Sequence, residues 1–187
     1  MADLTGEQPQ LMLHTLDPGP QFPDVVRMVV EIPKNSVNKY EYARNLGVLR
    51  LDRTLYSPMH YPGDYGFIPG TVAEDGDPLD VLVLTDEATF PGCVGDVRPI
   101  GVLDMRDRSV LDTKIFEVPS GNPRYNETDA LDQISPHARI EIEHFFNVHK
   151  LLEEKRTGTR GWKGPKEARQ AIRESRDRYL QGRSTPV

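Results

Sequence analysis

Residues 74 to 84 read EDGDPLDVLVL, so Glu74, Asp75, Asp77 and Asp80 place four acids within seven positions and run straight into an apolar segment. Two bare carboxylates about 4 Å apart repel by roughly 4 kcal/mol at an effective dielectric near 20. Such a cluster protonates, splays into water or takes up a cation. Gly76 permits a tight bend, Pro78 fixes its own φ, and the VLVL run anchors the loop's exit in a core, which hinders splaying. On these residues alone, a solvated acidic turn and a cation site both stand open. A calcium EF-hand does not fit, because counting from Asp75 the sixth position is Asp80, where that loop needs glycine.

A second acidic group lies in RDRSVLDTK, where Asp107 and Asp112 flank an expected hairpin turn and Asp112 and Lys114 share one face of the outgoing strand. An all-oxygen cluster suits hard cations such as Mg²⁺ or Mn²⁺, and Mg²⁺ characteristically uses a few carboxylates together with substrate phosphate. Lys39, Arg53, Lys114 and Lys150 supply cations for that phosphate. Each alone reads as a solvated surface charge, and their joint meaning depends on a fold that gathers them. His144 and His149 are five apart on an expected helix, the wrong spacing for two zinc ligands on one face. Cys93 reads as a packing residue and Trp162 as an apolar anchor for the loop between helices.

The elements that must position these groups are short. VVRMVVEIP (25 to 33), GVLRLD (47 to 52), VLVL (81 to 84), IGVLDM and VLDTKIFEVP are strand candidates separated by Gly, Pro and Asp turns. Ser135 and Pro136 supply an N-cap and a first-turn proline for a helix expected to run to about Glu154. After the loop TGTRGWKG, Pro165 opens a second, highly charged helix that fades near Gly182. About five strands followed by two helices predict an α+β architecture, a small closed or partly closed barrel with helices on one side, rather than a doubly wound sheet.

At 187 residues the chain is long enough for one ordinary domain, expected over residues 24–182, with a loosely held arm over 1–23 and a tail over 183–187. Lys and Arg total 23 against 29 Asp and Glu, a formal charge of -6, which argues against a general nucleic-acid binder. The single cysteine excludes an internal disulfide and thiolate zinc sites, and fits a reducing, cytoplasmic setting. The start MADLTGEQPQ has no export signal and no apolar stretch reaches bilayer length, so no membrane partner is expected.

Taken together, the motifs resemble the soluble family I inorganic pyrophosphatases in their short bacterial form. DGDPLD is similar to that family's signature loop, and VEIP, NKYE, LDR, YPGDYGFIPGT, RPIGVLDMRD, DTK and EHFF follow in its order and spacing over roughly residues 25 to 165. The resemblance implies a five-stranded OB-type barrel with attached helices, a homohexamer, and Mg²⁺-dependent hydrolysis of pyrophosphate to two phosphates. It further implies that Asp75, Asp80 and Asp112 hold the first two Mg²⁺ ions, with Asp107 and Glu31 serving further metals that arrive with substrate. Asp77 would accept the proton of a metal-activated water attacking in line, with Tyr65 also at the reacting centre. Lys39, Arg53, Tyr65, Lys114 and Lys150 would hold the phosphoryl groups, with Glu41 and Tyr61 in support.

This chain departs from that pattern at His149, where the family has a tyrosine before the lysine that is Lys150 here. His149 falls on one helical stripe with Ile142, Phe145 and Leu152, so it reads either as a hydrogen-bonded core residue or as a ring nitrogen replacing the phenol toward phosphate. Asp104 stands where a basic residue is common. Two further functions stay open. One is an OB-type module for single-stranded nucleic acid without catalysis, which needs a basic groove with stacking aromatics. The other is a metal-dependent phosphatase acting on nucleotides or phosphomonoesters.

Overall fold

The computed structural model describes residues 12–107, 110–154 and 157–184, without the side chains of 107, 110, 183 and 184. Strands β1 (Val26–Ile32), β2 (Asn38–Ala43), β3 (Val48–Thr54), β4 (Asp64–Phe67), β5 (Asp80–Val83), β6 (Val94–Asp107) and β7 (Val110–Pro119) precede helix α1 (Pro136–Val148), strand β8 (Thr157–Lys163) and helix α2 (Pro165–Ser184). Hydrogen bonding runs β1-β4-β5-β7-β6 and returns from β6 to β1, closing a five-stranded barrel. The α+β barrel with two C-terminal helices is therefore as the sequence predicts.

β6 makes closure possible because its 14 residues serve three neighbours. Its first residues pair with β1, Val26 against Val97 through Val29 against Val94. Nearly its whole length pairs with β7, and its far half, from Val102, pairs with β8. The β6–β7 register shifts between Pro99 and Gly101, where proline lacks the N–H that a ladder needs. Alternation along the strands sends side chains to two opposite faces. Leu82, Leu103, Phe116 and Val118 meet Ile142, Phe145 and Phe146 of α1, whereas Val81, Val83, Val102 and Ile115 meet Ala168 and Ile172 of α2.

Three segments differ from expectation. The alternating stretch 47 to 52 becomes β3, which pairs with β2 in a separate two-stranded sheet rather than joining the barrel. Its barrel place is taken by β4, a four-residue strand holding Asp64 and Gly66, residue types that read as a turn. Gly66 has a steric reason, since a Cβ there would lie 1.9 Å from the Val29 carbonyl oxygen across the β1–β4 pair. The TGTRGWKG segment, expected as a loop, is β8 instead, because the far half of β6 offers it a pairing edge. Trp162 anchors it as expected, its ring edge-on to Phe116 at 4.4 Å and its Nε1–H donated to Glu143 Oε2 at 3.2 Å.

α1 stops at Val148, six residues before the expected end, and His149 caps it. A 3₁₀ turn, Leu151–Glu153, follows and closes on Glu154 at φ 57°. Ser135 holds the N-cap position without a side-chain capping bond, leaving Pro136 as the start signal. Of the expected arm, residues 1–11 lie outside the described residues. Leu13 and Leu16 pack beside Val29, Tyr42 and Phe67, and the Leu13 N–H donates to Tyr42 Oη at 3.1 Å.

A methyl group at Gly66 must displace backbone rather than a flexible side-chain end. Gly66→Ala is expected to destabilise the protein by about 3 kcal/mol or more, read as a lowered urea midpoint. An unchanged midpoint would show that β1 and β4 can separate freely.

Candidate active site

The acidic loop is built from its base upward. The buried Thr71 hydroxyl donates to the Ile68 carbonyl at 2.6 Å and accepts the Leu79 N–H at 3.0 Å, pinning both ends of the loop. Within it, Asp75 Oδ1 accepts the Asp77 N–H at 3.0 Å, and Gly76 takes φ +90°, a left-handed conformation costly for other residues. The loop hands over to β5 at Asp80, which the parallel β5–β7 ladder sets opposite Lys114. Asp112, two residues before Lys114, shares its face.

The result is a tight knot of charge. The Lys114 ammonium bonds to both Asp80 and Asp112 while only 5% of the residue is exposed. Tyr65, opposite Leu82 on β4, donates its hydroxyl to Asp80 Oδ2 at 2.7 Å. Burial would depress the Lys114 pKa, but the two carboxylates overcome it and hold the ammonium charged well above the usual range. Burial and the same two carboxylates push the Tyr65 phenol far up, so it stays a donor. Tyr61, raised chiefly by burial, packs beside it at a tilt, with ring centres 5.5 Å apart.

Around this knot open two adjoining lobes of about 230 and 200 Å³. Both are lined by Lys39, Tyr65, Asp75, Asp77 and Asp80. The first adds Glu31, Glu41 and Arg44. The second adds Tyr61, Asp112, Lys114, His149 and Lys150. The fold thus gathers twelve of the expected side chains from β1, β2, β4 and the segment before it, β5, β7, the acidic loop and the end of α1.

Arg53 lines neither lobe; its Nε donates to Glu153 Oε1 at 2.9 Å and its Nη1 to Asp52, which also lies 3.5 Å from Lys39. Asp107 ends β6, and its side chain lies outside the described residues. A larger groove of about 510 Å³ runs between α2 and the back of the acidic loop. Its charges are of both signs, with Lys163 paired to Asp104, and it gathers few of the expected residues.

Three partners of the expected residues were not singled out by sequence, of which Arg44 lines the first lobe. Arg44 donates Nη2 to Asp77 Oδ1 at 2.8 Å. Asp52 joins Lys39 and Arg53; its place beside Arg53 in LDR was the available signal. Glu153 had none, being one of several charges in LLEEK.

Glu31 shows what the excess of acid costs. Burial raises its pKa to about 7 against the donated Tyr42 N–H, at 2.7 Å, and Asp80 pushes the same way as burial. Asp77 is raised first by partial desolvation, with Arg44 opposing and Asp75 and Asp80 adding. Its side chain is largely exposed, so water screens these charges.

Among the described residues no three acidic or histidine side chains are grouped to hold a metal ion as they stand. The Lys114 ammonium occupies the space between Asp80 and Asp112 and acts as the stand-in cation. Donors that are all carboxylate oxygen, crowded enough to pair with ammonium and guanidinium, fit a hard divalent ion. Tyr61 and Tyr65 are buried, so they offer no stacking platform for bases, and the cleft is acidic. This disfavours a single-stranded nucleic-acid module.

His149 is a hydrogen-bonded core residue whose ring also reaches the wall of the second lobe. It is buried, stacked on Phe145 with ring centres 4.7 Å apart, and its Nδ1 lies 3.0 Å from the Phe145 carbonyl oxygen. It also lines the second lobe. Burial, then Lys150, lower its pKa to about 4, so the ring is neutral at neutral pH. With its one N–H given to the Phe145 oxygen, the neutral ring keeps its other nitrogen as an acceptor rather than a donor.

The family model described as inorganic pyrophosphatase matches residues 28–180. The inorganic pyrophosphatase of Methanosarcina acetivorans is 50% identical over 157 residues, covering 84% of this chain and 94% of that protein. That of Geobacillus stearothermophilus is 46% identical over 155 residues, covering 83% and 94%. Among solved structures, the inorganic pyrophosphatase of Thermus thermophilus superposes with a TM-score of 0.89 at 41% identity, covering 91% of this chain and 99% of that one.

The depressed His149 pKa sets a sign for acid stability. Below the ordinary histidine value of 6.5 the unfolded chain takes a proton that the folded ring refuses until about pH 4, so stability falls across that window. His149→Phe keeps an aromatic ring on Phe145 but cannot titrate. Its loss of unfolding free energy between pH 7 and pH 4 is expected to be about 3 kcal/mol smaller than for the unsubstituted protein. Urea titrations at the two pH values measure this, and equal losses would mean that the ring already carries its proton when folded.

Proposed function

Because the chain belongs to the inorganic pyrophosphatase family, we propose that it hydrolyses inorganic pyrophosphate to two orthophosphates with Mg²⁺ as cofactor, in the two-lobed cleft around Lys114. The observation carrying this reading is the convergence of Asp75, Asp80 and Asp112 with Lys39, Lys114 and Lys150 on adjoining lobes. Acids and cations that alternate around one small cleft suit a polyanion that arrives with divalent metal, and suit neither partner alone.

Asp75, Asp80 and Asp112 would hold the first Mg²⁺ ions, with Glu31 and Asp107 completing the set once substrate is bound; Mn²⁺ would fit the same oxygens. Bound there, the metal supplies acidification of a water molecule and neutralisation of charge on the phosphoryl oxygens. Asp77 accepts the proton of the attacking water. Arg44 takes Oδ1 of Asp77 and leaves Oδ2 for that proton. With Asp80 and Asp112 engaged by the metal, the Lys114 ammonium would be free to turn to a phosphoryl oxygen, joined by Lys39, Lys150 and the Tyr65 hydroxyl. Glu41, paired with Lys39, and Tyr61, packed on Tyr65, hold those donors in place. Arg53 stabilises charge on the leaving phosphate through its planar guanidinium. His149 accepts a hydrogen bond from a protonated phosphoryl oxygen.

We further propose a cytoplasmic homohexamer, for which sedimentation is the check. Unpaired Cys93 fits a reducing compartment, and no helix among the described residues is long and apolar enough to cross a membrane. Exposed Ile140 and Leu152, on α1 and the turn after it, offer apolar surface for self-association.

Phosphate release from pyrophosphate is expected with Mg²⁺ and is expected to disappear when chelator is added. Nucleotides and phosphomonoesters in the same assay should turn over far more slowly; preference for one of them would replace pyrophosphate as the substrate. Asp77→Asn should cut kcat at least about a hundredfold with metal binding largely intact. Retention of more than half the turnover would remove Asp77 from the role of base.

A further inference from the structure

Arg53 sits on the β2–β3 hairpin, which stands outside the barrel ladder. Its position relative to the cleft is therefore not set by barrel hydrogen bonding. Asp52 cannot set it either, because Asp52, Arg53 and Lys39 all belong to that hairpin, with Lys39 directly opposite Arg53. Leu55, two residues on, anchors this end of the hairpin in the core cluster of Phe145 and Phe146, but the Arg53 side chain itself is tied by Glu153, one hundred residues away, whose Oε1 accepts the Arg53 Nε–H at 2.9 Å. The Glu153 side chain is 5% exposed and that of Arg53 21%, so the bond is charge-assisted and shielded from water, unlike a mobile surface pair.

The tie begins where the second lobe ends. Glu153 closes the 3₁₀ turn that follows His149 and Lys150, both of which line that lobe. One short turn thus carries two lobe residues and the carboxylate that grips the guanidinium. Glu153 takes Nε and Asp52 takes Nη1, which fixes the plane of the guanidinium and leaves Nη2 without a protein partner among the described residues. A planar group held at two of its nitrogens can present the third in one direction only.

We propose that Glu153 is a positioning residue, which sets the plane of Arg53 so that Nη2 meets the leaving phosphate as charge builds there. This rests on the role given to Arg53 above. Its requirement is geometric: an acceptor oxygen at the reach of a glutamate side chain, with the negative charge itself dispensable. An interaction of this kind is realised chiefly in the transition state, so its loss appears in kcat more than in KM.

The test is a double-mutant cycle read as kcat and KM for Mg-pyrophosphate hydrolysis, with melting curves for every variant. Glu153→Ala is expected to lower kcat about tenfold or more with KM changed less than about threefold. In an Arg53→Ala background the same substitution should add less than about twofold. Glu153→Gln, which keeps an acceptor oxygen at the same reach, should recover most of kcat. Glu153→Asp, which keeps the charge but withdraws the oxygen by one methylene, should not, and this pair decides the matter if Glu153→Ala fails to fold.

Equal losses in the two backgrounds, or Glu153→Asp turning over like the unsubstituted enzyme, would overturn the proposal. If Arg53→Ala alone leaves kcat and KM unchanged, the fault lies with the role of Arg53. If Arg53→Ala is impaired while the Glu153 variants act independently of it, only the positioning role fails.

Discussion

A lysine ammonium almost withdrawn from water and gripped by two carboxylates is the interaction on which the cleft depends. An unpaired ammonium so placed would lose its proton. Two bare carboxylates at the same spacing would repel or take a proton. The carboxylates hold the ammonium charged, so the site has a cation in place between its two acids. Strand pairing enforces this, because the parallel β5–β7 register sets Asp80 against Lys114 and side-chain alternation places Asp112 beside it. A slip of one residue would turn the acids or the lysine to the opposite face.

The other cations repeat the same balance at lower burial. Arg44 answers Asp77, Lys39 answers Glu41 and Asp52, and Arg53 answers Asp52 and Glu153. Glu31, buried with its nearest cation at a distance, responds instead by holding its proton to about pH 7. Most acids of the cleft thus have a cation beside them, and Glu31 is an exception.

The scaffold divides the labour. The barrel supplies the rigid centre, with Asp80, Lys114, Asp112 and Tyr65 on strands covered by α1 and α2. The β2–β3 hairpin and the end of α1 supply Lys39, Arg53, His149 and Lys150 from outside the ladder. Their placement relies on side-chain ties, of which the Glu153–Arg53 bond is the most buried. Ending α1 at Val148 rather than a turn later is what brings Glu153 within reach of Arg53.

The residue types and spacings by themselves determined which groups were on offer: an acidic loop pinned by the apolar run after it, a second acid–lysine pair on one strand face, and cations suited to phosphate. They also determined the α+β class, because β-branched runs and a proline-started apolar helix carry local signals. Tertiary structure alone decided that the stretch 47 to 52 leaves the barrel and that β4 and β8 exist, since the Asp and Gly of Asp64–Phe67 and the glycines of β8 read as turns until a neighbouring strand pairs with them. It alone decided the partners of Arg44, Asp52 and Glu153 as well. Their contacts join segments up to one hundred residues apart, and a charge on a solvent-facing pattern gives no local sign of which opposite charge the closed chain will bring to it.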